Sequence, residues 1–91
     1  MAKEYNGHRS WNAWNVSLWI NNDEYLYTLA QEVCADAIKA GHTLDKAVTV
    51  LLERANLMGD RTPDGAMYNR LCVKLAIQDI YDEARKQYEY Y

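Results

Sequence analysis

Ser10-Trp11-Asn12-Ala13-Trp14-Asn15-Val16-Ser17-Leu18-Trp19-Ile20-Asn21-Asn22-Asp23 is the stretch that decides the fold class of this chain. Trp11, Trp14, Leu18 and Trp19 recur at i, i+3, i+7 and i+8, the spacing of one helix face. A strand needs alternation, which Ala13 and Asn15 around Trp14 supply only briefly. Ser10 stands where an N-cap belongs. Asn21-Asn22-Asp23 breaks the pattern, because these side chains compete for backbone hydrogen bonds and favour caps. The stretch therefore predicts a helix in which Trp14 and Leu18 enter the core and Trp11 and Trp19 flank them. Asn12, Asn15, Asn21 and Asn22 are costly to bury unpaired, so they predict caps or hydrogen bonds offered to a partner.

The helical period continues outward from this block. A second helix starts at about Asp23 and buries Leu26, Leu29, Ala30, Val33 and Ala37, with Ile38 at the edge of that face. Asp23 and Glu24 suit the positive end of its dipole, and Gly41 ends it at C′. Thr43 caps a third helix with Val48, Leu51, Leu52 and Ala55 inside and Gly59 at its end. A loop over 60–65 follows. Thr62 and Pro63 read as N-cap and N1 of a fourth helix from about Asp64 to Gln87. Its apolar positions are Leu71, Val73, Leu75, Ile77, Ile80 and Ala84. Residues 1–9, with the turn-prone pair Asn6-Gly7, read as an N-terminal arm. The expectation is an all-α fold: a small bundle of about four helices in one domain over 1–91. Short connections make consecutive helices antiparallel neighbours.

Size and composition bound the function. A chain of 91 residues makes one domain with a thin core, which favours flat or grooved binding surfaces over a deep catalytic cleft. Three Trp and eight Tyr with no Phe give aromatics with polar tips, suited to half-buried positions and interfaces. The formal net charge of −3 lacks the basic footprint of nucleic-acid binding. The charge is also uneven. Between Ser10 and Ile38 there is no Lys or Arg, while Asp23, Glu24, Glu32 and Asp36 are all acidic. Such a surface beside aromatics suits a basic partner; the plainer alternative is a solvated helix face. The polar N-terminus and the lack of an apolar run of ~20 residues predict no signal peptide, no membrane span and a cytoplasmic protein.

No catalytic constellation, metal site or cofactor is expected. His8 and His42 have no metal partner at helical spacing, and no HxxxH, HExxH or CxxC occurs. The glycines form no phosphate loop. Glu32 and Asp36 are one turn apart, but a helical di-metal site needs matching carboxylates and an i, i+3 Glu–His pair. Asp79 with Asp82 or Glu83 offers only part of that set. Cys34 and Cys72 fall near apolar faces and act as small hydrophobes, with a disulfide between the two helices as the alternative. A weaker nucleic-acid or nucleotide-binding reading draws on Arg70, Lys74, Arg85 and Lys86, with Arg9, Trp11 and Arg61 beside them. Tyr81, Tyr88, Tyr90 and Tyr91 would suit a homodimer interface.

The block from Tyr5-Asn6-Gly7 to Glu24 resembles the start of a family of small, uncharacterised phage and mobile-element proteins. Trp14-Asn15-Val16, Leu18-Trp19-Ile20 and Asn22-Asp23-Glu24 carry the match, which spans roughly residues 5–30. The resemblance implies a context rather than a site. Small acidic helical phage proteins are often inhibitors of host defence, including anti-CRISPR and anti-restriction proteins that occlude a nucleic-acid site or block assembly. The leading expectation is thus a non-enzymatic interaction protein that binds and inhibits a host protein or nucleoprotein complex. Its predicted partner surface is Asp23, Glu24, Tyr25, Tyr27, Glu32 and Asp36.

Overall fold

The computed structural model describes residues 10–89. Four helices form, α1 (Trp11–Asn22), α2 (Glu24–Ala40), α3 (Leu44–Arg54) and α4 (Arg70–Glu89). The fold is all-α, as the periodicity predicts. The expected arm over 1–9, with His8 and Arg9, and the residues Tyr90 and Tyr91 lie outside the described residues.

The predicted caps Ser10 and Thr43 hold α1 and α3, and Asp23, expected inside the first turn of α2, is its cap. The Ser10 hydroxyl accepts from Ala13 N (3.1 Å), an Asp23 carboxylate oxygen from Leu26 N (2.9 Å) and the Thr43 hydroxyl from Lys46 N (3.2 Å). Each satisfies one orphan donor of a first turn. Gly41 takes φ 75° and ends α2, with His42 N donating to Ala37 O (2.7 Å) and Gly41 N to Ile38 O (3.1 Å). That crossed pair is a Schellman motif, and its left-handed residue favours glycine.

Two boundaries differ from expectation. α3 ends at Arg54, well short of Gly59, because Asn56 at φ 55° supplies the left-handed turn. Leu57 N donates to Leu52 O (2.9 Å) and Asn56 N to Glu53 O (3.2 Å), the same crossed pattern as at Gly41. α4 begins at Arg70 rather than near Asp64. Thr62-Pro63-Asp64-Gly65 closes a β-turn instead, with Gly65 N donating to Thr62 O (2.8 Å). Proline serves N1 and the second turn position equally, since both want its fixed φ and neither needs its N–H. Asn69 caps α4, its side-chain oxygen accepting from Cys72 N (2.9 Å).

The core gathers Val16 and Ile20 of α1, Leu29, Ala30 and Val33 of α2, Val48, Leu51 and Leu52 of α3, and Val73 and Ile77 of α4. α4 touches all three other helices, while α1 and α3 do not meet among the described residues. α2 and α3 form the expected antiparallel hairpin, with Arg54 returning to Glu32 (3.8 Å). α1 and α2 do not, because Asp23 alone separates them. One extended residue spans at most ~3.6 Å and cannot carry the chain across the 8–10 Å between packed helix axes. They meet at a corner.

The expected inward face of α1 is also rotated. Ala13, Asn15, Val16 and Ile20 are buried, while Trp14 and Leu18 are only half-buried. Two stripes on this helix fit the same period. The slimmer one lets α1 pack against α4, and the indoles of Trp14 and Trp19 stay half-buried while that of Trp11 is exposed. Leu71, expected inside, is exposed, and Cys72 and Val73 take the buried positions.

Candidate functional site

Helical geometry divides the six residues of the predicted acidic surface among three faces. Asp23, Glu24, Tyr25 and Glu32 come together in an open groove of about 730 Å³, closed on its far side by Arg54 of α3. Tyr27 points into a different groove, between α2 and α4. Asp36 lines a third hollow with His42 and Lys46. Positions 24, 28, 32 and 36 step at i+4, but such a row drifts about 40° per step, so Asp36 stands about 120° round from Glu24 and opens on another hollow, while Tyr27 lies off the row.

Within the acidic groove, Asp23 already has a structural duty as the cap of α2. Glu24 and Glu32 are exposed, and Tyr25 is 63% exposed. Arg54 is the one cation in the lining. It pairs loosely with Glu32, and both side chains are about half exposed, at 49% and 57%. An exposed pair of this kind is worth only about 0–1 kcal/mol and opens readily. The groove thus offers carboxylates, a tyrosine ring and a replaceable guanidinium, the chemistry that receives a basic side chain of a partner.

The alternative basic set is not assembled into one patch. Arg70 donates to the Thr49 hydroxyl (2.8 Å) and to Asp45 O (3.1 Å), and Lys74 pairs with Asp45 (3.0 Å). Both are spent on fastening α4 to α3. Arg85 and Lys86 are exposed about three turns beyond Lys74 on α4, ~16–18 Å from it at 1.5 Å per residue. The Tyr81 hydroxyl donates to His42 O (2.8 Å), so it ties α4 to the α2–α3 turn. Tyr88 is exposed.

The most developed polar network was not foreseen from the sequence as a contact. Asn15, 1% exposed, donates to an Asp64 carboxylate oxygen (2.8 Å) and accepts from the hydroxyl of Thr62, itself 4% exposed. Trp19 Nε1 donates to the same Asp64 oxygen (2.9 Å). The Thr62 hydroxyl also accepts from Ala66 N (3.0 Å). One turn earlier, Asn12 imitates a peptide unit, donating to Met67 O (2.9 Å) and accepting from Met67 N (2.8 Å). The two hydrogen bonds from Asn15 and Trp19 hold the Asp64 carboxyl below the usual carboxylate range. Burial, with Asp60 and Asp23 nearby, pushes the Tyr68 phenol up. The asparagines of α1 were the available signal: they stand one turn apart on a helix whose buried face must be satisfied.

Among the described residues, no group of three His, Cys, Asp or Glu side chains is placed to hold a metal ion. Cys34 and Cys72 are free and buried, and burial pushes the Cys34 thiol up to about 12, away from nucleophilic use at neutral pH. No helix is long and apolar enough to cross a membrane among the described residues. Residues 1–89 match a family model described as a family of unknown function (DUF7249), and the chain belongs to that family. No curated protein and no solved structure matches it.

Proposed function

Taking that family membership as the premise, we propose that this protein is an interaction module that binds and inhibits a host macromolecular complex. It does so by presenting the acidic groove of α2 to a basic surface. The observation that carries the reading is the convergence of Glu24, Tyr25 and Glu32 on one open groove whose single cation, Arg54, is loosely held. A partner lysine or arginine enters over Tyr25 and takes the place of Arg54 at Glu32. The resemblance of the Trp14–Glu24 block to small phage proteins supports a phage-encoded anti-defence inhibitor, of the anti-CRISPR or anti-restriction kind, acting in the host cytoplasm. A nucleic-acid-binding role has less support, because Arg70 and Lys74 are already engaged by α3.

The test compares affinity capture and mass spectrometry for the parent chain and for the double variant Glu24→Lys, Glu32→Lys. Both positions are exposed, so the fold survives the change. The parent is expected to retain a specific partner with a basic contact surface, and the variant to lose it. A partner retained equally by both, or no specific partner at all, refutes the reading.

A further inference from the structure

The opposite flank of α2 carries a second groove, shared with α4. Ala35 and Ala84 form its floor, common to two adjoining hollows of about 490 and 210 Å³. Tyr27 and Ile80 wall one end; Ile38 and Tyr88 wall the other. From Tyr27 to Lys39 the groove follows α2 over thirteen residues, ~18 Å for the twelve steps at 1.5 Å each. Among the described residues only Asn21, at the end of α1, reaches its rim from outside these two helices.

Its charge is polarised. Asp79 and Glu83 stand at the Tyr27 end with no cation in that lining, and Lys39 stands at the Tyr88 end. Two helices separated by a floor of alanines leave room for a third at ordinary interaxial distance. The length suits about three turns of helix, with apolar anchors at i, i+3/i+4 and i+7.

We propose that this groove seats an amphipathic helix of a partner protein, its basic residues over Asp79 and Glu83 and its acidic end at Lys39. A second copy of this chain is the poorer occupant. Presenting the same face, it would bring another Asp79 and Glu83 with one Lys39, so that even in an antiparallel pairing each lysine meets two carboxylates and both faces keep an excess negative charge. A basic helix from another protein meets no such repulsion. The inference stands apart from the Glu24–Glu32 groove and shares no residue with it.

The test titrates the ¹⁵N-labelled full chain with a synthetic amphipathic peptide bearing a leucine stripe at helical spacing, lysines at one end and a glutamate at the other. A scrambled isomer of the same composition, lacking the stripe, is the control. Amide shifts are expected at Tyr27, Ala35, Ile80, Ala84 and Tyr88, with the scrambled isomer binding at least ten-fold more weakly. Ala84→Arg should abolish those shifts while the helical circular dichroism remains, and Glu83→Lys should weaken binding at least five-fold. If Ala84→Arg unfolds, the exposed Glu83→Lys decides. The proposal is overturned if the shifts gather on Glu24 and Glu32, if the scrambled isomer binds equally well, or if no amide moves. It is equally overturned if light scattering shows a dimer whose dissociation accounts for the groove shifts. Failure of the acidic-groove reading is seen separately, in the Glu24→Lys, Glu32→Lys variant.

Discussion

Replacing Asn15 with alanine should be among the most damaging single changes outside the apolar core. The substitution removes the acceptor of the Thr62 hydroxyl, which is only 4% exposed. Leaving such a buried donor unmet costs about 1–3 kcal/mol. The void left by the carboxamide adds about 1 kcal/mol. Losing the bond to Asp64 adds little, since that carboxylate is exposed and water replaces the donor. The sum is roughly 2–4 kcal/mol. A domain of 91 residues has a total stability of about 5–14 kcal/mol, so the loss is a large share. At about 4–8 °C per kcal/mol for this size, Tm should fall by roughly 8–32 °C. Urea titration and thermal circular dichroism of parent, Asn15→Ala, Thr62→Val and the double variant measure it. The two single changes break one network, so the double variant should cost at least ~1 kcal/mol less than their sum. A fall in Tm under about 5 °C for Asn15→Ala, or strict additivity, would show that the loop over 60–67 does not depend on α1.

Three further outcomes follow from the same geometry. Asp64 has a folded pKa below its ordinary value, so its contribution is present above the unfolded value near 3.8 and is lost as pH falls through the folded one. Stability of the parent should therefore drop between those two values, and Asp64→Asn should flatten that part of a Tm-against-pH curve. With its pKa raised to about 12 and its side chain buried, Cys34 should resist a thiol reagent at pH 8 in the native state. It should react at once in guanidinium, and fast native labelling confirmed at Cys34 by peptide mapping would contradict the packing. Asn56→Ala should cost about 1–2 kcal/mol by placing a Cβ residue without a local hydrogen-bonding side chain at φ 55°, and Asn56→Gly should cost nothing or stabilise. Urea midpoints distinguish the two.

The periodic parts of the sequence were legible and the polar parts were not. The buried faces of α2 and α3 could be read directly, because Leu26, Leu29, Ala30 and Val33, and then Val48, Leu51 and Leu52, leave one face to bury. Caps at Ser10 and Thr43 were legible as local signals, and Asp23 was legible as the start of α2 though not as its cap. α1 misled because it carries two stripes at one period, and period alone does not say which faces the core. Thr62-Pro63-Asp64-Gly65 misled because a helix start and a β-turn ask for the same residues, and the deciding contacts come from Asn12 and Asn15, about fifty positions away in the chain. Of the acidic site, composition gave the charge and the helix, but not the separation of Tyr27 and Asp36 onto other faces.

That separation bears on where a partner can act. The α1–loop side has little polar capacity left to offer: Asn12, Asn15, Trp19 and Thr62 all have partners within the chain. The α3–α4 side is similar, with Arg70 and Lys74 engaged by Thr49 and Asp45. The two flanks of α2 differ. Glu24 and Tyr25 on one flank, and Tyr27, Asp79 and Glu83 on the other, are exposed and have no hydrogen-bonding or ionic partner among the described residues. A fold this small can hold itself together with one set of side chains and leave another set free. Here the free set is acidic and aromatic: Glu24, Tyr25 and Tyr27 come from α2, which has no cation before Lys39, and Asp79 and Glu83 come from α4. Binding through α2, as proposed, would then require no rearrangement of the network that holds α1, the loop and α4.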